Sequence, residues 1–144
     1  MQAEELRIVV EEVCRQKTET QNIELKAAAS GCPSRLFDTL SSFSNQDKGG
    51  IIIFGIDESK GYEVVGVYDP QDLQKKVTEQ CKQMEPAVRA LFTVCEIKDK
   101  IVVSAEIPGV DISERPVFYK GVGCIRGSYV RVGEADELMS EYEI

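Results

Sequence analysis

Three segments of this 144-residue chain repeat apolar residues at the spacing of an amphipathic helix. The first lies within residues 3–16 and the second follows Pro33. The third opens with Asp69 and Pro70, which are favourable as an N-cap and a first helical residue. Their apolar positions are Leu6, Val9, Val10 and Val13; Leu36, Phe37, Leu40 and Phe43; and Leu73, Val77, Cys81 and Met84. The pattern predicts helices in these segments.

Residues rich in β-branched side chains occupy much of the remaining chain. Residues 51–56 are typical of a strand covered on both faces. The turn sequence ESKG then predicts a partner strand over residues 62–67, and IELK, LFTVCEI and KIVVSAEI predict further strands. PVFYKG and GCIRGSYVRVGE suggest a second hairpin. We therefore predict an α+β fold, a mixed, mostly antiparallel sheet of about six strands with two or three helices packed on one face.

Length and composition narrow the class of protein. The charged fraction of 29% and hydrophobic fraction of 42% are ordinary for a single globular domain, so we expect one domain over residues 1–144. The longest apolar run, residues 51–54, is far too short to span a membrane. The acidic, amphipathic N-terminus does not resemble a signal peptide. We expect a cytoplasmic protein with no membrane partner.

Cysteine and histidine usage excludes several kinds of chemistry. The five cysteines are scattered without a C-x-x-C pair, which argues against a disulfide framework. The chain has no histidine, so Ser-His-Asp and Cys-His catalysis within it are excluded. Acid–base or metal chemistry must therefore use carboxylates, lysines or tyrosines.

The paired glycines Gly49 and Gly50 raise the question of a phosphate-binding loop. Such a loop follows a strand, precedes a helix and contains Gly-Lys-Ser/Thr. Here the order is helix, glycines, strand, and Gly-Lys-Ser/Thr does not occur. We interpret Gly49, Gly50 and Gly55 as structural glycines, the first two reversing the chain into a buried strand.

Three acidic residues are candidates for a metal site. Glu19 and Glu24 flank the first predicted strand, and Asp57 follows the long apolar strand. Carboxylates held by rigid strands suit Mg²⁺ or Mn²⁺. The alternative is that these acids are solvated or pair with nearby lysines such as Lys26.

The late hairpin supplies a candidate nucleic-acid surface. Tyr129 and Arg131 share a strand face by their spacing, and Lys120 and Arg126 lie just before them. Aromatic and basic groups on one sheet face can stack on a base and hold a phosphate. A solvated hairpin face is the alternative, and the net charge of −8 argues against a simple electrostatic binder.

Five stretches in order resemble the Schlafen AlbA-type domain. They are ETQNIELK (19–26), LSSFSNQDKGGIIIFGID (40–57), VVGV (64–67), RPVFYKG (115–121) and YVRVG (129–133). The resemblance covers about residues 17–133. It implies a DNA-binding module of a bacterial transcriptional regulator, the N-terminal part of a longer protein.

Two alternatives stay open, the first implied by the resemblance and the second by the acidic surface and the amphipathic N-terminal helix. In some animal Schlafens this domain cuts structured RNA with two glutamates, an aspartate and divalent metal, and Glu19, Glu24 and Asp57 match those positions. That reading requires Mg²⁺ or Mn²⁺, whereas binding alone requires no cofactor. For binding, the expected residues are Lys26, Lys120, Arg126, Tyr129 and Arg131, with DNA favoured over RNA. The other alternative is a non-catalytic dimerisation or sensor module, and a homodimer is the expected further partner.

Overall fold

The structure is a computed structural model that describes residues 1–18 and 20–144. Its helices are α1 (Ala3–Gln16), α2 (Phe37–Ser44), α3 (Pro70–Lys82) and the short α4 (Gly123–Gly127). Its strands are β1 (Ile23–Lys26), β2 (Gly50–Phe54), β3 (Ile56–Asp57), β4 (Glu63–Val64), β5 (Met84–Glu85), β6 (Leu91–Ile97), β7 (Lys100–Ile107), β8 (Phe118–Tyr119), β9 (Tyr129–Val132) and β10 (Ala135–Leu138). No helix among the described residues is long and apolar enough to cross a membrane.

The principal sheet has four strands in the order β1-β2-β7-β6. β1 runs parallel to β2, whereas β2–β7 and β7–β6 are antiparallel. The remaining strands form two-stranded pairs, β3–β4, β5–β8 and β9–β10. The predicted α+β class with a mixed, mostly antiparallel sheet is therefore confirmed, and the principal sheet is narrower than the six strands expected.

Helices cover both faces of this sheet. Ile52 and Phe54 of β2 belong to a core with α2 and α3, whereas Ile53 between them belongs to a second core with α1. Alternate strand residues point to opposite faces, so α1 lies on the face away from α2 and α3. The expectation of helices on one face was wrong, because β2 is apolar at every position and both of its faces need cover.

The predicted second hairpin is reduced to one antiparallel bridge, between Phe118 and Ser128. β8 pairs with β5, and β9 pairs with β10, a strand that the sequence pattern did not predict. The sequence GCIRG forms α4 instead of a strand. Gly127 permits this arrangement, since a Cβ at that position would lie 2.9 Å from both the backbone N and O of Tyr119.

The structural reading of the glycines agrees with the geometry. α2 ends at Ser44, and Gly49 has a φ of +62° immediately before β2. Gly50 lies against the ring of Phe43, which leaves no room for a Cβ. Gly55, with a φ of +112°, separates β2 from β3. The segment therefore reverses the chain between a helix and a buried strand.

The thiol of Cys81 predicts a pH dependence of stability. Cys81 lies on the buried face of α3 and is 1% exposed, and burial raises its pKa from 9.0 to about 11. Above pH 9 the unfolded chain ionises this thiol while the folded chain keeps the proton. The stabilisation is therefore complete below about pH 9 and is lost as the pH rises through about 11, at up to about 1.4 kcal/mol per pH unit.

Urea unfolding between about pH 9 and pH 11 measures this effect. The free energy of unfolding should decline less steeply with pH for Cys81→Ala than for the native chain. Equal slopes would contradict the assignment.

Candidate nucleic-acid interface

Arg131 of β9 is enclosed in the protein. Its side chain is 0% exposed, and its guanidinium lies 4.9 Å from the centroid of the Phe43 ring. One terminal nitrogen donates to the carbonyls of Thr20, at 3.3 Å, and Ile23, at 3.0 Å. The same nitrogen lies 3.5 Å from Glu24 Oε1. Arg131 therefore joins β9 to β1 from inside the domain.

Asp136 of β10 accepts from the other terminal nitrogen of Arg131, at 3.0 Å. It also accepts from the hydroxyls of Thr39, at 2.7 Å, and Ser42, at 2.5 Å, both on α2. Asp136 lies opposite Arg131 in the β9–β10 register, so the hairpin itself presents the pair. This buried network fastens the hairpin to α2 and to β1.

The expectation that Arg131 lies on an exposed binding face was therefore wrong. Tyr129 and Arg131 have the same strand parity, but the Arg131 side chain is enclosed between α2 and β1, whereas Tyr129 is only half-buried. Burial of a charge requires paired, hydrogen-bonded partners, and Arg131 has them. The sequence signal was Asp136 five residues later, a spacing that can bring an acid opposite an arginine in a tight hairpin.

Asn45, the residue after α2, and Ser41 of α2 hold the backbone of Tyr129 by hydrogen bonds. Its side-chain amide donates to the carbonyls of Tyr129, at 3.0 Å, and Val117, at 3.2 Å. Its side-chain oxygen accepts from the amide of Val117 at 2.8 Å. Ser41 accepts from the amide of Tyr129 at 2.8 Å. Asn45 is 8% exposed, so these bonds form a rigid base beneath the start of β9.

The exposed side of this region carries two cations on the segments that precede β9 and a third that contacts Tyr129. Lys120 and Arg126 are exposed, and neither forms an ion pair with another described residue. Arg35, just before α2, bonds Asp38 at 2.9 Å and also interacts with the hydroxyl of Tyr129. The hydrogen bond to Asp38 first, and Tyr129 to a smaller extent, raise the pKa of Arg35. We call Arg35, Lys120, Arg126 and Tyr129 the basic surface.

Tyr119 connects the parts of the basic surface. Its ring stacks on Phe37, the first residue of α2, with centroids 3.8 Å apart and planes 7° apart. Lys120 follows Tyr119 directly, and Arg126 precedes Gly127, which packs on the backbone of Tyr119. The sequence pattern did not indicate Arg35, because this residue lies in a loop without periodicity. Arg35 comes near Tyr119 only because Phe37, two residues later, stacks on the Tyr119 ring.

Lys26 lies apart from these residues, at the end of β1. Its side chain is 34% exposed, and its Nζ is 3.8 Å from Glu24 Oε2. Glu24 therefore lies between Lys26 and the buried Arg131. The expected role of Lys26 in binding nucleic acid stays a prediction.

The proposed acidic triad is described only in part. Glu19 lies outside the described residues. Glu24 contacts Arg131 and Lys26, whereas Asp57 accepts from the amide of Ser59 at 3.0 Å and from its hydroxyl at 2.5 Å. The Ser59 hydroxyl is the main cause of the lowered pKa of Asp57. Within residues 1–18 and 20–144 no group of three acids or cysteines is placed to hold a metal ion. The metal assignment stays a prediction.

The fold described above is shared by solved structures of bacterial domains. The chain resembles the solution structure of the N-terminal domain of a RecG-related protein from Nitrosomonas europaea, with a TM-score of 0.68 and 26% identity over 92% of this chain and 91% of that one. It also resembles the fold of part of the DIP2311 protein from Corynebacterium diphtheriae, with a TM-score of 0.60 and 16% identity over 97% of this chain and 27% of that one.

The family follows from the sequence match. The family model described as "Schlafen, AlbA_2" matches residues 19–140. The chain therefore belongs to the Schlafen AlbA_2 family. No protein of curated function matches it significantly.

Proposed function

We propose that this chain is a nucleic-acid-binding domain that binds duplex DNA within a transcriptional regulator. Its family supports this role, as does its likeness to a domain whose parent protein is described as related to an ATP-dependent DNA helicase. Both point toward nucleic acid as the partner, and the choice of DNA over RNA is part of the proposal.

The observation that carries the proposal is the basic surface. In a chain of net charge −8, Lys120 and Arg126 are exposed, form no ion pair with any described residue, and lie on the adjoining segments that precede β9. Cations left unpaired in such a chain are available to an external anion, and phosphates supply most of the affinity in DNA binding. The position of Tyr129 beside Arg35 adds a hydroxyl donor or a ring face to the same surface.

The rigid base suits this role. Asn45 and Ser41 hold the backbone of Tyr129, and the stack of Phe37 on Tyr119 holds the segment that carries Lys120. A surface fixed before binding loses less conformational entropy when phosphates dock. We expect the contacts to be mainly to the DNA backbone, and therefore weakly dependent on sequence.

The double variant Lys120→Ala/Arg126→Ala tests the proposal. Each lost phosphate contact is expected to reduce the salt slope of log K by about 0.9, so the double variant should bind duplex DNA with a slope shallower by about 2. The measurement is fluorescence anisotropy with a labelled duplex, starting at low salt. Lys60→Ala/Lys100→Ala removes the same charge from other exposed positions and should leave the slope unchanged.

The outcomes separate the candidate functions. If neither duplex DNA nor structured RNA binds the native chain at low salt, the proposal is wrong for this domain. Tighter binding to structured RNA than to DNA would overturn the choice of DNA. Cleavage of transfer RNA with Mn²⁺ that disappears in Glu24→Ala would replace the proposal with the endoribonuclease alternative.

A further inference from the structure

Strand β6 forms one outer edge of the principal sheet, and no strand of the described residues lies beyond it. It spans Leu91–Ile97. Leu91 is 67% exposed and Val94 is 40% exposed. Long exposed edges with apolar side chains are templates for pairing with another strand.

The hydrogen-bond pattern fixes the direction of the backbone groups, starting from β2. The amide of Ile51 donates to the carbonyl of Asn22 at 2.8 Å, so Ile51 faces β1 and the next residue, Ile52, faces β7. Ile52 lies opposite Ala105 of β7. Facing residues of an antiparallel pair exchange both hydrogen bonds, so Ala105 faces β2 and the preceding residue, Ser104, faces β6.

The same alternation continues into β6. Ser104 lies opposite Thr93, so Thr93 faces β7. Its neighbours at alternate positions, Phe92, Val94 and Glu96, therefore direct their amides and carbonyls outward. These three residues are the ones available to a further strand.

We infer that this edge pairs with the same edge of a second copy of the chain, antiparallel, with Val94 on the two-fold axis. Val94 then faces Val94 of the second copy, and Phe92 faces Glu96 of the second copy. This register uses all three outward-facing residues. A contact of this kind is isologous, so it closes on a dimer, and it joins the two four-stranded sheets into one.

Charge complementarity on the α3 face favours the second copy. Phe92 packs on the core shared with α2 and α3. It lines one groove with two lysines and one acid of α3, Lys75, Lys82 and Glu79, so the charged groups there are basic on balance. Glu96 has the same strand parity as Phe92 and therefore points to the same face. In the proposed register, Glu96 of the second copy faces Phe92, which brings its carboxylate toward Lys75 and Lys82.

The ends of the paired stretch are complementary as well. Leu91 at one end of β6 faces Ile97 of the second copy, which sets an exposed apolar residue against a half-buried one. Apolar pairs directly across two strands are stabilising.

One of the outward-facing carbonyls of β6, that of Glu96, already accepts a hydrogen bond within the chain. Arg7 of α1 donates to the carbonyl of Glu96 at 3.0 Å. A carbonyl oxygen has two lone pairs, so this oxygen can accept from the second copy while the bond to Arg7 persists.

Analytical ultracentrifugation across a wide concentration range tests the inference without nucleic acid. The average mass of the native chain should rise from 16.0 kDa toward twice that value. Val94→Pro removes an outward amide on an edge strand, where proline is tolerated, and should weaken the dimer by about tenfold or more. Ile125→Lys changes a residue that is 74% exposed on α4 and should leave the dimer unchanged.

Exchanging the charges of Glu96 and of the two α3 lysines distinguishes pairing in this register from non-specific association. Glu96→Lys should weaken the dimer, and adding Lys75→Glu and Lys82→Glu to it should restore association. A native chain that stays at 16.0 kDa throughout overturns the inference, as does a dimer that tolerates both Val94→Pro and Glu96→Lys. The basic surface is intact in all these variants, so failure here leaves the proposed function standing.

Discussion

Arg131→Met is expected to lower the free energy of unfolding by about 3–5 kcal/mol, because it leaves the largely buried Asp136 without its cation and Glu24 with only Lys26. Glu24 and Asp136 are only 13% and 14% exposed, so water cannot replace the guanidinium fully. Methionine keeps much of the apolar volume beside Phe43, so the loss reports the charge and hydrogen bonds rather than a cavity. Equilibrium unfolding in urea measures it.

Two further variants make the result specific to Arg131. Arg131→Lys keeps the charge but lacks the planar fork that reaches both Asp136 and the β1 carbonyls, so it should recover only part of the loss. Arg126→Met removes an exposed arginine nearby and should change stability by no more than about 0.5 kcal/mol. A loss below about 1 kcal/mol for Arg131→Met would contradict the structural role.

Gly49→Ala is expected to destabilise the domain by about 2–5 kcal/mol. The φ of +62° costs a non-glycine residue about 1–2 kcal/mol, and forced overpacking adds about 1–3 kcal/mol. The new Cβ would overlap the carbonyl oxygen of Ile107 and lie 2.7 Å from the amide nitrogen of Gly109. Backbone atoms of β7 and the turn after it cannot move aside without disturbing the sheet.

Gly61→Ala is the matched control for this prediction. Gly61 has a similar φ of +70° but has nothing within 4 Å of an added Cβ. It should therefore cost only the conformational part, about 1 kcal/mol. Thermal unfolding of the two variants side by side separates steric overlap from backbone preference, and equal losses would show that the close approach of Ile107 has no effect.

The sequence predicted the elements whose burial is periodic. α1 and α3 appear where their apolar residues repeat, and the continuous run of β2 correctly indicated a strand covered on both faces. The short strands were harder to predict from the sequence, because a pair such as β5–β8 joins residues far apart in the chain and contains only two residues in each strand. Local pattern contains no information on such pairing.

In the candidate site, too, the local sequence pattern did not reveal contacts between residues far apart in the chain. Spacing gave Tyr129 and Arg131 the same strand parity, but it could not tell that α2 and β1 cover Arg131. Lys120 and Arg126 remained exposed as expected. Arg35 joined them only through the fold, since its contact with Tyr129 spans the chain from α2 to β9.

Helix α1 sets a practical boundary for expressing this domain. The family match begins at residue 19, after α1 has ended at Gln16, so a fragment trimmed to the matched residues would omit the helix. Leu6, Val10 and Val13 are nearly inaccessible to solvent, and they cover Ile53 and its neighbours in the second core. Without them an entire apolar sheet face would contact water, and such patches promote aggregation. Fragments of this domain therefore need their first residues for solubility, even though the family match does not include them.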